Sequence, residues 1–271
     1  MTLIEGIILG VFQGLTEFLP ISSSGHLVII KSILKVEEPG SLYEIALHLG
    51  TLFSIIIVFY EDVKNLVKGT VNILAGFLKI KSLKIDTYEY LIIMIIVGSI
   101  PTAVIGFTFQ DFIEKLFNSP SFVGFMLIIT GFFLLLSDKI PKKNKSFSDM
   151  KVGDAVFIGF FQGLAVTPGI SRSGATIFAG LLRGLSHQNA VRYSFLLSLP
   201  AVLGAALLKS KDVLDIGINN IFVTPLVAGV ITSAVSGIIA IKFLINILNR
   251  GKLYYFSIYC WILALLVILF A

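Results

Sequence analysis

The residues able to do chemistry are gathered in two short runs. In the first, Gln13-Gly14-Leu15-Thr16-Glu17-Phe18-Leu19-Pro20-Ile21 leads into Ser22-Ser23-Ser24-Gly25-His26, a carboxylate, three hydroxyls and an imidazole within ten residues. A second run, Gln162-Gly163-Leu164-Ala165-Val166-Thr167-Pro168-Gly169-Ile170-Ser171-Arg172-Ser173-Gly174, lies 149 residues later without a gap. Gln, Gly, Leu, Ile, Ser, Ser and Gly coincide between the copies, whereas the acid and the histidine occur only in the first and the arginine only in the second. Serine hydroxyls are candidate nucleophiles, and His26 is an acid or base near neutral pH. Arg172 carries a permanent forked charge that matches phosphate oxygens. A carboxylate such as Glu17 beside an anion site repels the ligand unless it holds a metal ion or takes a proton. These are the parts of a phosphoryl-transfer site.

The elements that must position these residues are membrane helices. Hydrophobic residues make up 56% of the 271 and charged ones 14%, against about 25% charged in soluble domains, and the mean hydropathy is +0.96. The runs Glu44–Tyr60, Tyr88–Phe109, Phe122–Leu136 and Leu253–Ala271 approach the roughly 20 residues that span a bilayer core. The net charge of +5 does not indicate nucleic acid, because the basic residues fall in short loops between apolar runs, where they set topology and meet anionic lipid. No basic residue precedes Lys31, so no cleavable signal peptide is expected. The single cysteine, Cys260, excludes an internal disulfide and reads as lipid-facing or packing.

Each polar run interrupts a helical pattern. Pro20, the serines and Gly25 break residues 3–34 into two pieces, and Leu27–Leu34 is too short to cross. A re-entrant hairpin over 3–34 is therefore expected, with a second over 153–184 broken at Pro168, Gly169 and Gly174; broken backbone at membrane depth is tolerated where it lines a cavity. Between them come a span at Glu44–Tyr60, an amphipathic surface helix within 61–87 and spans near 88–108 and 120–137. Further spans are expected near 190–208, 219–244 and 253–270. The expected fold is thus an all-α integral membrane protein in a single domain, with repeats at about 1–137 and 153–271. Each repeat is a re-entrant helical hairpin plus three transmembrane helices. The lysine-rich loops place fifteen basic residues on one side, read as cytoplasmic, and an odd number of spans per repeat makes the repeats inverted. The breaks then meet near the midplane, where helix starts and Arg172 converge on an anion.

With these runs in place, the sequence resembles the undecaprenyl-diphosphate phosphatase family, the bacitracin-resistance membrane phosphatases. Gln13-x-x-x-Glu17 with its Ser-Ser-x-Gly-His continuation looks like the family's first signature, and Pro168-Gly169-Ile170-Ser171-Arg172-Ser173-Gly174-Ala175-Thr176 matches the second, P-G-x-S-R-S-x-x-T. The resemblance implies hydrolysis of undecaprenyl diphosphate to the monophosphate carrier, recycling it for wall-polymer synthesis. It also implies a divalent cation (Mg²⁺ or Ca²⁺), a bacterial plasma membrane location and a site reached from the outer face. Carried over by position, Glu17 is the essential carboxylate and a metal-ligand candidate, Ser23 the attacking hydroxyl, His26 the acid/base or rival nucleophile, and Arg172 the phosphate clamp. Ser171, Ser173 and Thr176 would donate to phosphate, with Ser22, Ser24, Gly25 and Gly174 completing the binding set. Gln13 stands where many members have Glu, which removes one charge from any metal site. The implied partners are a polyprenyl diphosphate and the bilayer, with no nucleic acid; a homodimer is left open.

An anion transporter or polyprenyl-phosphate flippase is the alternative, because inverted repeats with broken helices are usual in secondary transporters. Glu17 and His26 argue for the enzyme, since carrying an anion requires neither. His48, in a spanning run without evident polar partners, reads as a packing residue, and His187 as a solvated one.

Overall fold

The structure is a computed structural model that describes residues 2–26, 42–77, 86–117, 119–216 and 223–270. The expected second arm of the first hairpin, Leu27–Leu34, lies outside the described residues, as do Lys35, Leu78, Lys79, Lys81 and Lys84. The described chain is helical: α1 Leu3–Phe18, α2 Leu42–Val58, α3 Tyr60–Phe77, α4 Thr87–Thr108, α5 Gln110–Leu116, α6 Pro120–Ser137, α7 Val152–Leu164, α8 Arg172–Leu182, α9 His187–Ile216, α10 Val223–Asn249 and α11 Tyr254–Phe270. Four of these, α4, α6, α9 and α10, are long and apolar enough to cross a bilayer on their own. The chain is a multi-pass membrane protein.

Both expected breaks occur. α1 stops at Phe18, and a helical turn resumes over residues 23–26; α7 stops at Leu164, and α8 starts at Arg172. The amphipathic helix is also present, as α3, but it follows α2 directly, bent by 93° at Phe59. Its Val67, Val71 and Leu74 are exposed, as suits a helix lying in the interface with its apolar face toward lipid. Asp62 holds the elbow in place: it accepts from Arg192 of α9 and from the Tyr88 hydroxyl of α4 at 3.0 Å.

α1 packs on α10, and α7 packs on α4, pairings consistent with the repeats expected from the sequence. Both seams need small residues. A Cβ on Gly10 would overlap the Gly229 backbone, and one on Gly159 would overlap the Gly98 carbonyl, so close approach here rests on packing in place of a hydrophobic drive that lipid cannot supply. The outer face is correspondingly apolar: Val227, Ile231, Val235 and Ile239, four residues apart along α10, are exposed, while Gly229, Ser233, Ser236 and Ala240 face inward.

Not every basic loop residue is a free topology signal. Asp154, in the first turn of α7 and almost fully buried, accepts from Lys145 Nζ at 2.7 Å and from Arg183 Nε, just past α8, at 2.7 Å. This staple closes the base of the second hairpin, and Lys145 also forms an isolated bridge with Leu185. Cys260 is buried against Ile21 and Leu134 and is thus a packing residue, with no lipid-facing role.

The tip of the second hairpin is anchored to α6 by Thr130, which donates to the Gly169 carbonyl at 2.9 Å and accepts from the Ser171 N–H at 3.0 Å. Gly169 has φ +93, and a Cβ there would come 2.5 Å from the Val123 carbonyl and 2.6 Å from Met126 Cβ. Gly169→Ala is therefore expected to lose at least about 2 kcal/mol of stability, from left-handed strain plus the clash. Thermal unfolding in detergent reads this. Gly106→Ala, with open space around the built Cβ, is the silent control.

Candidate functional site

Glu17 is the centre of the polar cluster. It lies in the last turn of α1, is 7% exposed, and each of its oxygens is engaged. Oε1 pairs with the Arg172 guanidinium, bringing together residues 155 positions apart. Oε2 accepts from Ser23 Oγ at 2.7 Å and from Gln13 Nε2 at 3.0 Å. A carboxylate buried this far needs such compensation, since an unpaired charge at membrane depth is costly. Gln13 sits one turn before Glu17 on the same helix face, the i, i+4 spacing that brings two side chains together.

The N-terminal turns beyond the breaks are built alike. Ser171 caps α8, accepting from the Gly174 N–H at 3.2 Å, and Ser22 accepts from the Gly25 N–H at 3.4 Å. In both, the capping hydroxyl also meets the serine two residues on, Ser173 and Ser24 respectively, at 3.2 Å. Capping fixes each helix start, so Ser23 and Arg172, which occupy equivalent positions in the two repeats, both reach Glu17. The breaks touch each other: a Cβ on Gly25 would stand 3.3 Å from Val123 and 3.9 Å from Gly169 Cα, and one on Gly174 would stand 3.3 Å from Pro20. Gly25 and Gly174 thus serve contact between the breaks.

A cavity of about 310 Å³ opens beside this cluster. Its polar wall is Glu17, Ser23, Ser24, Ser171, Arg172, His48, Thr102 and Gln162. Its apolar wall includes Ile45, Phe117, Val166 and Ile170, with Ala201, Val202, Ala205 and Ala206 along α9. Charged, hydroxyl and apolar groups thus line one chamber. A second cavity, of about 420 Å³, lies by the Asp62–Arg192 pair and holds none of the motif residues.

Other candidates from the sequence fall outside the lining. Ser22 and Ser173 are buried caps and cap partners. Thr176 bonds the Arg172 carbonyl at 2.7 Å and Ser194 at 2.5 Å, joining α8 to α9. His26, 5% exposed, engages the Ser22 carbonyl through Nδ1 at 2.8 Å and the Tyr259 hydroxyl through Nε2 at 2.7 Å.

His48 requires a correction. It is not a packing residue without partners: it lines the cavity, with Nδ1 3.1 Å from Gln13 Nε2 and 3.7 Å from Glu17 Oε2. Nothing in the spacing of its own run marked it, because its partners lie on another helix. Thr102 and Gln162 join the wall as well, with Gln162 Nε2 3.1 Å from Thr102 Oγ1. The repeat could have flagged Gln162, which is the counterpart of Gln13.

For a divalent cation the donor set is lean. Among the described residues Glu17 is the one carboxylate beside Gln13, His48 and Ser23, and no group of three His, Cys, Asp or Glu stands ready for a metal ion. The Gln13 Oε1 atom is buried without a hydrogen-bond partner. Hard divalent ions are commonly bound by one or two carboxylates together with substrate phosphates. The donors therefore fit a cation only where a bound ligand supplies most of the oxygens.

Residues 6–266 match the family described as bacitracin resistance protein BacA. The chain is 44% identical to the undecaprenyl-diphosphatase of Alkaliphilus metalliredigens, over 100% of this chain and 99% of that one. It is 43% identical to the protein of the same name from Halothermothrix orenii, over 100% and 99%, and 42% identical to that from Desulforapulum autotrophicum, over 99% and 98%.

Proposed function

Because the chain belongs to the bacitracin resistance protein BacA family, we propose that it hydrolyses undecaprenyl diphosphate to undecaprenyl phosphate and inorganic phosphate. The observation that carries this reading is the Ser23–Glu17–Arg172 cluster in the lining of a cavity that polar and apolar side chains share. The names of the relatives supply the substrate, and the cluster supplies the chemistry. Release of the monophosphate carrier returns it to wall-polymer synthesis, and bacitracin resistance follows.

In the proposed reaction the diphosphate enters between the two breaks while the tail lies along α9. Arg172 turns from Glu17 Oε1 to the phosphate oxygens, which relieves the carboxylate of its counter-charge. Ser23 Oγ, 2.7 Å from Glu17 Oε2, then attacks the terminal phosphorus and gives its proton to that oxygen. The anhydride P–O bond breaks, and undecaprenyl phosphate leaves with the bridging oxygen. Water cleaves the phosphoseryl ester, releasing phosphate, and the serine hydroxyl is restored. Positioning and charge neutralisation supply most of the rate, as is usual in phosphoryl transfer. A divalent cation bound with the diphosphate would add neutralising charge, with Glu17 and Gln13 Oε1 as its protein ligands.

The basic loops support a bacterial plasma-membrane enzyme with its site open to the outer face. The test is direct: the purified chain is supplied with undecaprenyl diphosphate and Mg²⁺, and phosphate release is measured. Turnover is expected, with loss on chelation and recovery when Mg²⁺ is restored. No release by the folded wild type would refute the enzyme reading.

A further inference from the structure

Resting on the assignment of Ser23 as nucleophile and Glu17 as its proton acceptor, we propose that His26 is a positioning residue: with Tyr259 it locks the left-handed turn at Ser22 that delivers Ser23 to Glu17. Ser22 has φ +68, the one positive value at a non-glycine position among the described residues. L-residues with a Cβ resist this conformation, and it persists only when the surroundings enforce it. The enforcement is visible. The Ser22 carbonyl accepts from His26 Nδ1 at 2.8 Å and from the His26 backbone N–H at 3.2 Å.

A carbonyl can only accept, so Nδ1 carries the proton, and in the neutral ring Nε2 is left to accept from the Tyr259 hydroxyl at 2.7 Å. The two rings also stack, 5.6 Å apart and 4° from parallel. Both nitrogens of His26 are therefore engaged away from the reacting groups, and it is not one of the residues lining the cavity. Attack on phosphorus or proton transfer to substrate would require giving up one of these bonds.

The second repeat provides an internal comparison. Ser171, the counterpart of Ser22, makes the same hydroxyl cap but has an ordinary φ of −72. There the residue matching His26 is Ala175. The cap is common to both breaks, while the imidazole accompanies the left-handed backbone alone. Ser22 directly precedes Ser23, so its φ governs where the nucleophile points. Tyr259, outside both motifs, becomes part of the same support.

The test compares steady-state phosphate release by the purified full-length chain with undecaprenyl diphosphate and Mg²⁺, using variants matched to wild type in thermal unfolding. His26→Ala is expected to lower kcat by about 100-fold with little change in KM, the cost of a misplaced reacting group. His26→Asn sets an amide N–H near the Nδ1 position and is expected to regain at least about 10-fold over His26→Ala, whereas His26→Gln, with its amide at the Nε2 position, is not. Ser22→Gly placed in the His26→Ala background should also regain about 10-fold, because glycine adopts the turn unaided. Tyr259→Phe should lower kcat in the same direction as His26→Ala. The proposal is overturned if His26→Asn is as inactive as His26→Ala and Ser22→Gly restores nothing, for the imidazole is then a chemical participant. Failure of the underlying assignment looks different: Ser23→Ala would turn over at the wild-type rate, which removes the premise as well.

Discussion

Glu17→Gln is expected to lower kcat for phosphate release by about 10³-fold, within the range set by loss of a general base. The substitution keeps the shape of the side chain, and an amide oxygen can still accept from Ser23. It cannot take the serine proton. It also leaves the Arg172 guanidinium, one-fifth exposed, without its counter-charge, and breaking a buried pair from one side costs about 3–5 kcal/mol. Stability and activity must therefore be separated. In the double variant Glu17→Gln/Arg172→Gln, neither side leaves an unpaired charge, so thermal stability should recover while activity stays lost. Recovery of both would mean that Glu17 serves only to neutralise Arg172, and the base assignment would fall.

Arg172→Lys should also be severe, with kcat lower by about 10²- to 10³-fold, the usual consequence of losing one donor to a developing oxyanion. Charge is conserved in this variant, but the planar fork is lost, and a lysine ammonium meets phosphate as a point charge. Arg172 is the first residue of α8, so the helix start continues to offer its N–H groups to the anion, and binding should suffer less than turnover. The measurement is kcat and KM for phosphate release. If Arg172→Lys retained wild-type kcat, charge alone would suffice and the forked clamp would be unnecessary.

The two predictions concern one ion pair, and that pair shows where sequence reasoning stops. The separate motifs were legible because each couples an apolar helix to a helix breaker: Pro20 with Ser22–Ser24, and Pro168 with Gly169. Period and punctuation are local properties, so the hairpin break between α1 and residue 23, that between α7 and α8, and the amphipathic α3 all stand where composition places them. The 149-residue repeat further implied that the breaks should meet. It could not say that Arg172 in its resting position grips Glu17, since that contact depends on how the two hairpins are set against each other.

The facing of side chains was likewise undetermined. His26 and His48 have the same chemistry, yet the fold gives them different settings. His26, beside the serines in sequence, is turned onto α11 and bonded at both nitrogens, whereas His48, isolated on α2, reaches the wall of the cavity. Proximity along the chain could not tell their facing, because the left-handed residue Ser22 redirects the turn that carries His26. Lys145 and Arg183 teach the same lesson, as they close on Asp154 from distant loops.

Taken by itself, the sequence determined that this chain lives in a membrane, that it breaks two helices at matching points, and that a carboxylate, serines and an arginine are the available chemistry. Those conclusions follow from hydropathy, helix-breaking residues and residue type, each of which acts over a few neighbours. Tertiary structure alone decided which of those groups face one cavity, which merely hold the backbone, and which distant residues join them. Such choices depend on packing between glycine seams and on buried charges finding partners across the fold, contacts whose free energy is absent until the repeats interlock.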